Sequence, residues 1–351
     1  MQNPQNPTSI QRPIMDPLFV KPFEAPKRHW AVTAFFLAFL RWIGRTLISR
    51  PLAIYKPGQE SRVFRPVHEF MRAAAYQAMF LPLALSLTAA LLVYIGTHPA
   101  LPVISLDPGS AGVYYDQVTL TSEDGTSLSA WFAPVVDASR VLAQKERIIR
   151  TKDPAIVLVH DFGQTPQQLL PLVGPLHEEG VAVMVVGLRG TGAAKAAGQT
   201  FGLNESSDVR AAIDYLRGCV QIDGSRIGVM GVGTGATAAM LAAQRDPSIK
   251  ALIIADPVKD VDEMIDRRVA PKQAWVKWMK PMCKWAFEIC YHVTADDMSL
   301  DRLKKATQNR PILTLPPGTD NTEYFSKKMI ARVQWFVHQQ LRSTDIAAAG
   351  K

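Results

Sequence analysis

The stretch Arg226-Ile-Gly-Val-Met-Gly-Val-Gly-Thr-Gly-Ala-Thr-Ala-Ala-Met240 constrains the fold more than any other part of the chain. An apolar run leads into Gly231, Gly233 and Gly235, and then into small residues. The first part has the composition of a buried strand. Alternate glycines permit a tight turn with no Cβ in the way. The alanines that follow suit a helix lying close on a sheet. A strand, a tight turn and a helix in this order belong to a parallel sheet covered by helices.

The chain on either side repeats the alternation. Val118–Ser122, a bend at Glu123-Asp124-Gly125 and Leu128–Phe132 predict a hairpin. Ala155–His160 and Val181–Val186 predict buried strands, with a helix near Pro166–Glu179 between them. A helix over Ser206–Arg217 precedes the central stretch, with Glu205 and Asp208 placed for its N-terminal dipole. A strand at Ile249–Ala255, a partly helical stretch over 258–309, a strand at Ile312–Leu315 and a helix near Thr322–Leu341 complete the pattern. The expected fold class is α/β, a doubly wound and mostly parallel sheet, preceded by an N-terminal transmembrane helix.

That helix is expected at Ala73–Gly96, which carries no charge and has Tyr76 and Tyr94 near its ends. It is long enough to cross the hydrocarbon core. Residues 1–73 hold 11 of the 39 Lys and Arg but 4 of the 31 acids, so the rest of the chain is nearly neutral. The basic excess sits on the arm and not on the folded body, which argues against nucleic acid as a partner. It also places the N-terminus in the cytoplasm and the C-terminal domain outside, periplasmic or extracellular. The bilayer is therefore an expected partner. The expected organisation is a flexible basic tail (1–29), an interfacial helix and juxtamembrane arm (30–72), the span (73–96), a linker (97–112), a folded domain (113–343) and a disordered tail (344–351).

Gly231-Val232-Gly233-Thr234-Gly235 has the form of a nucleophile elbow, G-x-S-x-G, with glycine at the serine position. Together with TLTSEDGTSLSAWFAP, VLVHDFG, GLRGTG, ESSDVRAAIDYLR and RPILTLPPGTD, the order of motifs resembles the α/β-hydrolase superfamily. Its serine peptidase, lipase and dienelactone-hydrolase-like members are the nearest in pattern, over about Tyr114 to Leu341.

That resemblance implies four functional positions. Gly233 stands at the nucleophile and offers no oxygen. Asp320 in PPGTD stands at the acid position, where, with no histidine to orient, it reads as a turn former rather than a catalytic acid. The loop that should hold the histidine is missing. The later His338 reads as a packing or surface residue. His160-Asp161-Phe162-Gly163 matches the oxyanion turn, with Phe162 and Thr234 N–H as donors and the Thr234 side chain pointing elsewhere. His160 and Asp161 are candidate pocket residues, and His160 is read as anchoring the turn. The charge of Asp161 should oppose an oxyanion.

Trp275, Trp278 and Trp285 alternate with lysines in KQAWVKWMKPMCKWAFEIC. They are expected either to pack over the pocket or to meet lipid or a partner subunit. No cofactor is expected, and no metal, since no ligand spacing occurs. Cys219, Cys283 and Cys290 read as small buried residues, with a disulfide to Cys219 as the alternative. The expected function is a membrane-anchored, non-catalytic binding or structural module, such as a subunit of a membrane complex. The alternative is a membrane-anchored hydrolase of esters or peptides with a non-standard catalytic site.

Overall fold

The computed structural model describes residues 41, 64–99, 101–135, 152–194, 197–269, 278–292, 294–316 and 325–342. The chain divides into two compact units, Met1–Ala53 and Ile54–Lys351. Of the first, Arg41 alone is described, so the expected basic tail and interfacial helix lie outside the described residues, as does the C-terminal tail.

Helix α1 spans Phe64–Thr97. It begins earlier than the expected span because Arg65–Ala75 is itself rich in good helix formers. Its segment Ala73–Thr97, 25 residues, is long and apolar enough to cross a membrane. Pro82 lies inside it, and the Ser86 hydroxyl donates to the Pro82 carbonyl at 2.8 Å. The expected linker is not slack. Pro108–Ala111 forms a short 3-10 turn capped by Asp107, and the Gln167 side chain accepts from Ser105 and Leu106 N–H.

The strands are β1 (Asp116–Thr121), β2 (Ser127–Ala133), β3 (Asp153–Val159), β4 (Ala182–Val186), β5 (Ile222–Val232), β6 (Ile249–Ala255) and β7 (Ile312–Leu315). They form one seven-stranded sheet in the order β1-β2-β4-β3-β5-β6-β7. The β1–β2 hairpin joins β4 antiparallel, and all other pairs are parallel. Strand β5 lies between β3 and β6, with Val229 opposite Val157 on one side and Leu252 on the other. It starts earlier than the sequence suggests. Ile222 pairs with Asp153, and the Asp223-Gly-Ser225 turn residues are absorbed as a register shift.

The helices α2 (Leu170–Glu178), α3 (Glu205–Gly218), α4 (Thr234–Arg245), α5 (Val261–Met264), α6 (Lys280–Tyr291), α7 (Leu300–Ala306) and α8 (Lys327–Val337) surround the sheet. One sheet face packs on α3, α4 and Leu303 of α7, through Val157, Val229, Ile213 and Ala239. The other packs on α2 and α8, through Leu158, Met230, Leu172 and Val333. Helices α5 and α6 follow β6 and pack on each other, and α6 packs on α1. The final helix starts later than expected, at Lys327, where the Ser326 side chain caps it.

The turn after β5 is packed to contact. A Cβ at Gly231 would stand 2.2 Å from the Gly235 carbonyl oxygen, and one at Gly235 would stand 2.6 Å from the His160 carbonyl oxygen. Gly218, at the end of α3, has nothing within 4 Å of such a Cβ. Gly231→Ala is therefore expected to cost about 1–3 kcal/mol or more through overpacking. Gly218→Ala should instead stabilise by ~0.4–1 kcal/mol, because Ala restricts the unfolded chain. Thermal unfolding of the two variants in detergent, followed by circular dichroism, measures the opposite signs.

Candidate functional site

The site forms where β3 and β5 end. Gly233 lies between β5 and α4 with φ 58° and ψ −118°, a conformation that is strained for any residue with a side chain. It is the geometry of a nucleophile elbow, held here by glycine. A Cβ at Gly233 would fall 2.1 Å from Asp161 Oδ1 and 2.3 Å from its Cγ. The Asp161 carboxylate therefore fills the space that a side chain at the elbow would need.

Its oxygen is bound by the donors that the sequence assigns to an oxyanion. Asp161 Oδ1 accepts from Phe162 N at 2.7 Å and from Thr234 N at 2.9 Å. The Thr234 hydroxyl also donates to it at 3.2 Å and accepts from Phe162 N at 3.0 Å. The expectation that the Thr234 side chain points away is thus corrected: the turn brings it onto the carboxylate. Helix α4 begins at Thr234, so its first N–H groups and its dipole favour the negative charge.

His160 is fully buried. Its Nε2 accepts from Leu188 N at 3.2 Å, so the proton sits on Nδ1 and is donated to the Asp161 carbonyl at 2.9 Å. Burial pushes its pKa down to about 4, so the ring is neutral at pH 7. Both nitrogens are used in holding the turn after β3 to the turn after β4.

The family model of the X-Pro dipeptidyl-peptidases (S15 family) matches residues 110–340. The chain belongs to the S15 peptidase family. Its matched part spans the hairpin, the elbow and the final helix, within the α/β-hydrolase superfamily. An α/β-hydrolase domain-containing protein of Arabidopsis thaliana, WAV2, is 27% identical over 179 residues, covering 49% of this chain and 53% of that protein. The uncharacterized protein YfhR of Salmonella typhi is 28% identical over 120 residues, covering 34% of this chain and 37% of YfhR. The matches thus reach about half the length of WAV2 and about a third of YfhR. The esterase Pf2001 of Pyrococcus furiosus has the same fold, with a TM-score of 0.52 at 16% identity, over 70% of this chain and 98% of that one.

Around this S15-type elbow, buried polar groups tie the loops together. Gln199 Oε1 accepts from Gly163 N at 2.9 Å, Gln199 Nε2 donates to the Arg189 carbonyl at 3.1 Å, and Gln199 N donates to the Thr97 carbonyl at 2.7 Å. Arg189 Nε and one terminal nitrogen donate to the two carboxylate oxygens of Asp208, at 3.1 and 2.7 Å. Burial alone would lower the Arg189 pKa, but Asp208 outweighs it and holds the guanidinium above its usual value. Glu205 accepts from Thr200 N, Thr200 Oγ1 and Gly202 N, and burial followed by the nearby charge of Asp208 pushes its pKa up.

Sequence reasoning placed Glu205 and Asp208 at a helix dipole; the structure buries both. The signal was readable, since Glu205, Asp208, Val209, Ala212 and Leu216 share one helical stripe. Nothing local in the sequence marks Gln199.

Aromatic rings close over the turn. Phe162 stacks on Phe201 at 4.7 Å, Phe201 meets Phe287 of α6 at 5.8 Å, and Phe287 meets Tyr291 at 4.9 Å. Trp278 and Trp285 are not among them. Both are exposed, so the reading in which they pack over the pocket is corrected, and phenylalanines take that place. A cavity of about 380 Å³ lies against the chain before β1, lined by Leu106, Asp107, Tyr115, Trp131 and Pro166 and not by Gly233 or Asp161.

The remaining candidates do not join the site. His338 Nδ1 meets Glu179 Oε2 at 3.3 Å, and Glu179 precedes β4, at the sheet edge opposite the elbow. Asp320 and Trp275 lie outside the described residues. Cys219, Cys283 and Cys290 form no disulfide; Cys283 is buried, Cys219 half-buried and Cys290 exposed, which corrects the expectation of burial for the last. Among the described residues no three His, Cys, Asp or Glu side chains are grouped to hold a metal ion.

Asp161 and Gly233 should behave as one unit. Gly233→Ser alone is expected to destabilise by about 1–3 kcal/mol. Asp161→Gly alone should cost about 1–3 kcal/mol by removing the acceptor of Thr234 N–H and one of the two acceptors of Phe162 N–H. The double variant should lose less than the sum, with a coupling of ~0.5–3 kcal/mol. Denaturant titration of the four proteins measures it; strict additivity counts against the steric relation.

His160 predicts a pH dependence. Its folded pKa, about 4, lies below the ordinary 6.5. Between these values the unfolded chain binds the extra proton. Stability is therefore full above pH 6.5 and falls as pH drops toward 4, by on the order of 3 kcal/mol from this group. Unfolding midpoints at pH 7, 5.5 and 4.5 should show the fall in the wild type and a shallower one in His160→Gln.

Proposed function

We propose that this protein is a membrane-anchored member of the superfamily whose domain binds rather than cleaves. One observation carries the reading: the Asp161 carboxylate stands in the place of the elbow side chain, with one oxygen on both oxyanion donors. Acyl transfer on this fold needs a hydroxyl at the elbow, a base beside it and donors left open for developing charge. Gly233 brings no attacking atom. Donors already satisfied by a fixed carboxylate have little left to give a transition state. His160, beside the turn, has no nitrogen to spare.

The supporting features outside the site concern α1. Its apolar length, the tyrosines near its ends and the basic arm before it support a single span with the N-terminus in the cytoplasm and the domain outside. In this reading the domain is a docking or structural module, and its partners are the bilayer and other subunits of a membrane complex.

A second reading has one observation in its favour. The Thr234 hydroxyl lies 3.2 Å from Asp161 Oδ1, so a hydroxyl and a carboxylate acceptor are adjacent. Under it the protein is an ester or peptide hydrolase with Thr234 as nucleophile and Asp161 as base.

The test uses the full chain in mild detergent, short p-nitrophenyl esters and an X-Pro anilide. The binding reading expects no turnover above that of a heat-denatured sample and no labelling by a fluorophosphonate. Turnover that disappears in Thr234→Val overturns it in favour of the second reading. A native mass that includes a second polypeptide in fixed ratio supports the proposed role.

A further inference from the structure

We propose that helix α6 and the turn just before it lie on the membrane surface and seat Trp278, Trp285 and Ile289 at the level of the lipid headgroups. The proposal rests on the reading of α1 as a membrane span and adds a second, interfacial contact to it. The three side chains are 52%, 55% and 50% exposed. Their spacing of seven and four residues puts them on one stripe. Met279, Cys283, Ala286 and Phe287 are buried and turn the other side of α6 to the domain. The stripe is therefore not a core face left bare by chance of packing; the helix already has its core face filled.

Charge along α6 is settled internally. Lys280 Nζ lies 2.8 Å from Asp266 and 3.8 Å from Asp262, and Lys284 Nζ lies 3.4 Å from Asp262. The flanking cations thus bring their own counter-ions from the turns after β6. Trp285 and Ile289 stand outward on α6, with Glu288 half-buried between them and Cys290 exposed beside Ile289. Indole rings of this kind favour the boundary between hydrocarbon and water, where the ring is shielded and the N–H stays wet.

The position of α6 along α1 selects the bilayer as the occupant. Helix α6 packs on α1. Ala89, Leu92, Val93 and Thr97 of α1 are buried, whereas Tyr76, Phe80, Leu81 and Leu83 are exposed. Tyr76 and Tyr94, both exposed, are about 27 Å apart along a helix rising ~1.5 Å per residue. That distance is close to the ~30 Å of a hydrocarbon core. With Tyr94 at one boundary, the Thr97 end of α1 and the helix packed on it stand at that boundary too.

The experiment places the full chain in phosphatidylcholine–phosphatidylglycerol vesicles, with acyl chains either plain or brominated. Flotation with the vesicles after alkaline carbonate washing reports the α1 span. Bromine quenching of tryptophan emission reports α6. The expected result is flotation, a quenched wild type, and a reduced quenchable emission in Trp278→Phe/Trp285→Phe, whose unfolding midpoint stays that of the wild type because both residues are exposed. Flotation with the same quenching in wild type and double variant overturns the α6 contact and leaves the span standing. Loss of the protein on carbonate washing overturns both. A chain-to-chain cross-link from benzoylphenylalanine placed at 278 or 285 identifies a second copy as the occupant and also overturns the proposal.

Discussion

One carboxylate oxygen organises the centre of this molecule. Asp161 Oδ1 takes the two backbone N–H groups that face each other across the ends of β3 and β5, together with the Thr234 hydroxyl. Hydrogen bonds to a charged acceptor are the stronger kind, each of ~1.5–3 kcal/mol in net terms. They are available only because the residue at 233 has no side chain, since a Cβ there would lie inside the carboxylate. Asp161 and Gly233 are therefore two halves of one arrangement. Glycine also removes most of the strain that a side chain would suffer at φ 58°. Strain and unsatisfied donors are the features that a hydrolytic elbow normally carries as part of its mechanism. Both are relieved here.

The surroundings are consistent with a centre that holds still. His160 is neutral and bonded at both nitrogens, so its proton position is fixed by Leu188 N–H on one side and the Asp161 carbonyl on the other. Arg189 and Asp208 form a buried pair whose remaining hydrogen-bonding capacity goes to Asp124, Ser122 and the Arg189 backbone. A buried pair of this kind adds little net stability by itself, but removing one member leaves a charge uncompensated. Its effect is to fix which loop meets which. The phenylalanines over the turn then exclude water from bonds that are stronger in a low dielectric.

The architecture was legible in the sequence because it rests on local signals. Strand β6 and the helix before β5 were located to within a residue or so by periodicity and glycines. Phe162, Thr234 and Gly233 were named from motif order alone. The presence of an acid at the oxyanion turn was legible too. What the sequence did not disclose is that the acid reaches onto the donors themselves. That depends on the absence of an atom at residue 233, which lies just past the end of another strand, and no pattern along the chain expresses it. Thr234 was misjudged for the same reason: its rotamer is chosen by Asp161 and not by its neighbours. Gln199 joins three loops in space and has no local signature. Trp278 and Trp285 were ambiguous because helical spacing shows a stripe without showing which way it turns.

These relations join the site to the end of α1. Gln199 binds the Thr97 carbonyl through its backbone and Gly163 through its side chain. The last turn of α1 and the turn that carries Asp161 are thus separated by a single buried residue. Pro99 lies 3.7 Å from where a Cβ of Gly163 would stand, and the His98 ring covers Gly198 at 2.7 Å from the corresponding point. A substrate arriving at the elbow from this side would have to lift the end of α1, the aromatic stack and the Gln199 bonds together. An enzyme that turns over must open and close its site repeatedly, and draws its lids from weakly held segments. Here the cover is the root of the helix proposed to cross the bilayer. In the proposed reading that makes mechanical sense: the carboxylate, by filling the elbow from within, lets the former mouth of the site be sealed and used as the seat of the anchor.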